Sequence, residues 1–123
     1  KIGIGIILTI KDKERTGKMN IKTIDVNVKE WFDKVNGNSY FSGIITLNYE
    51  MADSVDISMP FQYGYGEHYV DMANQTLMKS GYIPEVRHEN GTRPALWQYC
   101  KDNNIILRTN KKENCKKREL ATI

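Results

Sequence analysis

Ile24-Asp25-Val26-Asn27-Val28-Lys29 alternates apolar and polar side chains without interruption. Successive side chains on a strand point to opposite faces, so the pattern predicts a half-buried β-strand within residues 20–30. Ile24, Val26 and Val28 form its buried face, and Trp31 and Phe32 follow. Asp33-Lys34-Val35-Asn36-Gly37-Asn38 then supplies a turn built around Asn-Gly. Residues 39–50 alternate again, with Phe41, Ile45, Leu47 and Tyr49 on one face. Ala52-Asp53-Ser54 marks a second turn, and residues 55–63 give a third strand. Its expected apolar face is Val55, Ile57, Met59, Phe61 and Tyr63. Pro60 has no N–H to donate to a ladder, which places this strand at an edge. Three strands with short connections make an antiparallel meander.

The period then lengthens. Tyr69, Met72, Ala73, Thr76 and Leu77 recur at helical spacing, which predicts an amphipathic helix over 67–80 ending at Gly81. His68, Asp71, Asn74, Gln75 and Lys79 fall on its other side. A loop over 84–93 leads to Pro94, suited to the first turn of a short helix over 94–102. Leu96, Trp97 and Cys100 are its expected apolar face. Ile105-Ile106-Leu107 reads as a last short strand. The expected fold is α+β: a three- to four-stranded antiparallel sheet in the order β-β-β-α-α-β, its apolar face covered by the 67–80 helix.

The chain has 123 residues, 40% hydrophobic and 27% charged, an ordinary globular composition with room for one core. Its formal charge of +3 is unevenly distributed. The stretch 19–100 is mildly acidic, whereas 1–18 and 101–123 are basic. A domain over 19–108 with a helix-prone or frayed basic tail over 109–123 follows from this. No apolar run approaches the ~20 residues of a membrane span. Cys100 and Cys115 lack zinc-ligand spacing, and the expectation is two reduced thiols, Cys100 packed on a helix and Cys115 in the solvated tail. Residues 1–18 open with an apolar run rich in β-branched side chains. Met19 is the first methionine, and the residues ahead of it have purine-rich codons like a bacterial ribosome-binding site. Two expectations stand for 1–18: sequence upstream of a native start at Met19, or an added edge strand.

Pro60-Phe61-Gln62-Tyr63-Gly64-Tyr65-Gly66-Glu67-His68-Tyr69 is the most distinctive stretch. Gly64 and Gly66 can take positive φ between a strand and a helix. The spacing does not complete GxGxxG, no Walker lysine follows, and Glu67 would repel a phosphate. Either its tyrosines pack across the sheet or they form an exposed binding patch. The expected partner-binding residues are Tyr63, Tyr65, Glu67 and His68, with Glu50, Asp53 and Asp56 as an acidic surface around the second turn. In the tail, Lys111, Lys112, Lys116, Lys117 and Arg118 are candidate phosphate contacts. His68 and His88 are the only histidines, and with a nearby carboxylate they compose the one conceivable metal or catalytic centre. There is no GxSxG, HExxH or recognisable triad order. The expectation is therefore a non-enzymatic protein with no catalytic residues, no metal and no cofactor.

Lys34-Val35-Asn36-Gly37-Asn38-Ser39-Tyr40-Phe41, the Pro60–Gly66 stretch, and Leu96-Trp97-Gln98-Tyr99-Cys100 together resemble a group of small uncharacterised bacteriophage and prophage proteins. The resemblance covers about residues 20–107 and implies a phage-encoded protein of the host cytoplasm. By association it implies a binding protein that modulates a host nucleic-acid-handling complex, including an anti-CRISPR or anti-restriction inhibitor, with a host protein or nucleoprotein as partner. The alternative is a nucleic-acid-binding accessory protein using the basic tail. The β-β-β-α portion is also similar to the sheet-on-helix DNA-binding domains of integrases and plant AP2 factors, although this sheet lacks their arginine-rich exposed face.

Overall fold

The computed structural model describes residues 19–85, 89–91 and 94–120. The N-terminal stretch 1–18 and His88 lie outside them. Strands β1 (Thr23–Asp33), β2 (Asn38–Leu47) and β3 (Val55–Tyr63) are followed by helices α1 (His68–Lys79) and α2 (Leu96–Asp102). Strand β4 (Ile106–Lys112) and a one-turn helix α3 (Lys117–Leu120) complete the order. The class is α+β, and β1, β2 and β3 form the expected antiparallel meander.

The sheet order is β3-β2-β1-β4, and β4 runs parallel to β1. The fully antiparallel sheet expected from the sequence is thus corrected to a mixed one. The cause is the helical connection. After β3 the chain returns along one face of the sheet through α1 and α2, so it re-enters at the far edge in the direction of β1. A helical crossover is the usual route to a parallel pair.

One face, here called inner, carries the core. Ile24, Val26, Val28, Phe41, Ile45, Leu47 and Met59 from the sheet meet Tyr69, Ala73, Leu77, Leu96 and Cys100 from the helices, all buried. Each large side chain buried there contributes about 1.5–3 kcal/mol. Gly43 faces Val28 across β1 and β2. A Cβ at Gly43 would collide with the backbone of Asn27 and Val28, so glycine is what lets these strands close. Gly81 ends α1 at φ 80°, and Tyr82 N–H bonds back to the Leu77 carbonyl.

Several side chains sit where alternation did not place them. Asn74 is buried, and its Nδ2 donates to the Pro94 carbonyl at 3.1 Å, tying α1 to the start of α2. Trp97 points outward because Leu96 and Cys100, four apart, already take the inward stripe of a seven-residue helix. Tyr49 lies beyond the end of β2 and is exposed.

The largest correction concerns β3. Its register against β2 pairs Gly43 with Met59 but Phe41 with Gln62, so β3 holds one extra residue there. One inserted residue reverses which face every later side chain takes. Val55, Ile57 and Met59 therefore face inward as expected, while Phe61 and Tyr63 face the other way.

The C-terminal segment is also corrected. Over 109–120, its described part, it is not frayed: β4 extends to Lys112, α3 bears out the helix-prone alternative, and Cys115, expected in solvent, is buried, as is Leu120. Cys115 N–H donates to the Glu30 carbonyl at 3.0 Å, and the Ser42 hydroxyl to the Leu120 carbonyl at 2.6 Å. Leu120 is apolar in a basic stretch, and it anchors α3 on the outer face. Both cysteines are free thiols.

Candidate binding face

The outer face is built from the other parity of the same strands. Trp31 on β1 is directly opposite Tyr40 on β2, and Tyr40 is opposite Tyr63 on β3. The bulge adds Phe61 to this set. Trp31 and Tyr40 stack at 5.6 Å between ring centroids, and Tyr40 and Phe61 at 5.1 Å. Tyr63 meets Tyr40 edge-on at 5.9 Å and Tyr65 edge-on at 6.4 Å. The result is a continuous row of five rings from the third strand from the β3 edge out to the β3–α1 turn. Trp31 and Tyr40 are half-buried, but Phe61, Tyr63 and Tyr65 are 42%, 55% and 68% exposed. Aromatic pairs of this kind contribute about 0.5–1.5 kcal/mol each. That does not account for leaving three large rings open to water.

The basic residues of the C-terminal segment gather beside this row. Lys117 Nζ lies 5.4 Å from the centre of the Trp31 ring. Lys29 and Lys112 are neighbours across β1 and β4 on the same face. Glu119 lies among them. The Lys116 backbone N–H at 2.7 Å, then the charges of Lys112, Lys29 and Lys116, hold its carboxyl below the usual carboxylate range. Lys116, Lys117 and Arg118 are exposed.

Lys111 differs from the other four candidates. It faces inward, its side chain 13% exposed, with Nζ 3.3 Å from Glu30 Oε2 and 3.7 Å from Glu113 Oε2. It also donates to the Gly66 carbonyl at 3.0 Å and lies 5.8 Å from the centre of the Tyr69 ring. Its role is to fasten the β3–α1 turn that presents Tyr65. In that turn Gly66 takes φ 59°, as expected of a glycine there. Gly64 does not: it is buried, and a Cβ there would press on the His68 and Phe41 rings.

The residues expected to form one protein-binding surface fall into two groups. Tyr63, Tyr65, Glu67 and His68 lie at the aromatic end. Glu67 and His68 are exposed, with the His68 imidazole edge-on to Phe41 at 6.3 Å. Glu50, Asp53 and Asp56 lie at the opposite end of the β2–β3 hairpin. Tyr40 and Thr46, opposite Tyr63 and Asp56, are six residues apart, about 20 Å at ~3.3 Å per residue. Two of these acids also have structural work. Buried Asn48 donates to both Asp53 oxygens at 3.2 Å while its Oδ1 accepts from Lys22 N–H, and the Thr46 hydroxyl donates to Asp56 at 2.8 Å.

Among the described residues no group of three His, Cys, Asp or Glu side chains is placed to hold a metal ion. The proposed pairing of His68 with His88 involves a position outside them. No helix among the described residues is long and apolar enough to cross a membrane. No protein-family model matches the chain, and neither a curated protein nor a solved structure matches it.

Proposed function

We propose that the outer face binds single-stranded nucleic acid, its bases against the aromatic row and its phosphates against the lysines beside it. The observation that carries this reading is the placement of Lys117 over Trp31, at one end of five contiguous rings. Exposed aromatics on a sheet, flanked by cations, suit unpaired bases: every base offers a π-face, and stacking is worth about 1–3 kcal/mol per base. A duplex hides those faces. The acidic end does not oppose this. At about 20 Å it is more than two Debye lengths away at physiological salt, where that length is ~8 Å. Asp25, level with Asp56 in the sheet, is in addition neutralised by a two-pronged ion pair with Arg108 at 2.6 and 2.9 Å. The protein is in this reading a non-enzymatic accessory factor.

The test is binding of labelled oligo(dT) and oligo(U) against a duplex of equal length. The single strands should bind at least ~10-fold more tightly, with affinity falling as salt rises by a log–log slope of about −0.7 per phosphate neutralised. Equal binding of the duplex, or no binding of single strands at low salt, defeats the reading.

A second proposal rests on the same exposed rings. Tryptophan and tyrosine are enriched in protein-binding hot spots. The row would then dock onto a host nucleic-acid-handling complex, as a phage-encoded inhibitor of the anti-CRISPR or anti-restriction type would. The lysine rim favours nucleic acid instead, because lysine is depleted at protein–protein interfaces. A stoichiometric, nuclease-resistant partner that is lost on Tyr65→Ala would favour the second proposal.

A further inference from the structure

A cleft of about 440 Å³ opens at the Trp31 end of the aromatic row, between the β1–β2 turn and the segment leading into α3. Trp31, Phe32 and Val35 give it an apolar wall, and Lys34, Lys116 and Lys117 line it as well. Phe32 is 47% exposed and Val35 is 92% exposed. Two large apolar side chains held open to water beside three lysines are not accounted for by the core or by the turn. The turn itself is held by other groups. Gly37 N–H bonds to the Asp33 carbonyl at 2.7 Å, and the Asp33 carboxylate accepts from Val35 N–H, Asn36 N–H and Asn36 Nδ2.

We infer that this cleft is a subsite for one unpaired nucleotide, its base against Trp31 and its phosphate drawn to Lys34, Lys116 and Lys117. The inference rests on the nucleic-acid reading of the adjoining row and names what the end of that row receives. Three features carry it. The volume suits a nucleotide and is too small for a protein element. The wall is aromatic where a base would stack, and the charge around it complements a phosphate. Asp33, the one carboxylate among the described lining residues, is turned to the three turn hydrogen bonds, and its single charge is outnumbered by the three lysines. Lys117 is the movable part. It is exposed and rests on the Trp31 ring, a weak contact for a solvated cation. A phosphate would draw its ammonium away and uncover the ring for a base.

The experiment uses the full chain with Trp97→Phe, so that Trp31 alone reports by fluorescence. The probes are adenosine 5′-monophosphate, inorganic phosphate, and an oligo(dT) of about 12 nucleotides, within the usual site size of such surfaces. Two variants separate cleft from row. Val35→Asp places a negative charge in the cleft at a position whose exposure makes it neutral to folding, and Tyr65→Ala removes the ring of the row farthest from Trp31. The mononucleotide should quench Trp31 saturably, and inorganic phosphate should not. Val35→Asp should abolish mononucleotide binding and weaken oligo(dT) about ten-fold. Tyr65→Ala should weaken oligo(dT) and leave the mononucleotide unaffected. Wild-type protein that binds oligo(dT) but not the mononucleotide overturns the cleft and leaves the row standing. A Val35→Asp protein that binds the mononucleotide as wild type does the same. Protein that binds neither probe overturns both.

Discussion

The two faces of the sheet use similar residue types to opposite ends. On the inner face, Ile24, Val26, Ile45, Leu47 and Met59 are fully shut away beneath α1 and α2. On the outer face, Trp31, Tyr40, Phe61 and Tyr63 receive only the single turn of α3, which is anchored through Leu120. Had the outer rings existed only for stability, a longer cover would be expected, since each exposed ring forgoes the transfer energy that drives burial. The difference shows where this protein stores stability and where it keeps surface in reserve. It also shows that aromatic content alone does not mark a core.

Four outcomes test that contrast, from the largest effect to the smallest. Leu77→Ala, on the inner face with no exposure, should cost about 2–5 kcal/mol in denaturant unfolding. The fraction that remains folded should bind oligonucleotide normally. Phe61→Ala should do the reverse, losing about 1–3 kcal/mol of single-strand binding while costing stability only the aromatic contacts, about 0.5–1.5 kcal/mol. A Phe61→Ala protein as unstable as Leu77→Ala would erase the distinction.

The cysteines sharpen it. Burial pushes the Cys100 thiol up to about 11, so at pH 8 almost none is thiolate. Cys115 is buried too, but in the irregular stretch between β4 and the single turn of α3 rather than within a helix. Alkylation followed by mass spectrometry should label Cys115 at least ~10-fold faster, through local opening, whereas Cys100 waits for wider unfolding. Equal rates would mean that α3 is as firmly seated as α1.

The smallest effect concerns acid. Glu119 has a folded-state pKa below its unfolded value, so it contributes stability at pH values above the unfolded pKa, about 4.3. That contribution is lost as pH falls through the lower folded value. Trp31 emission, which senses Lys117 in α3, should therefore change on acidification before the core unfolds. Glu119→Gln should remove that early change.

Much of this architecture was legible in the chain. Alternation placed β1, β2 and β3, and the third strand matched its expected bounds of 55–63. The same parity put Trp31 and Tyr40 on the side opposite Val28 and Phe41, a signal present in the sequence but masked by their apolar character. Pro60 signalled an edge strand, which β3 is. It also marked the bulge that turned Phe61 and Tyr63 outward, and that consequence was missed because strict alternation assumes no inserted residue. The parallel entry of β4 was implicit in two helices between strands. The docking of 113–120 was harder to see, since only Cys115 and Leu120 interrupt a run of charge.

The sequence by itself determined the elements, because helix and strand periodicities are local properties of which side chains sit two, three or four positions apart. It determined most of the inner core for the same reason, up to the bulge in β3. Only the tertiary structure decided that five rings from three strands and a turn form one row, and that a lysine more than eighty positions along the chain lies over the first of them. Register, bulge and docking are settled by pairings between distant segments. A one-residue insertion costs the local pattern almost nothing, yet it reverses the face that every following side chain presents.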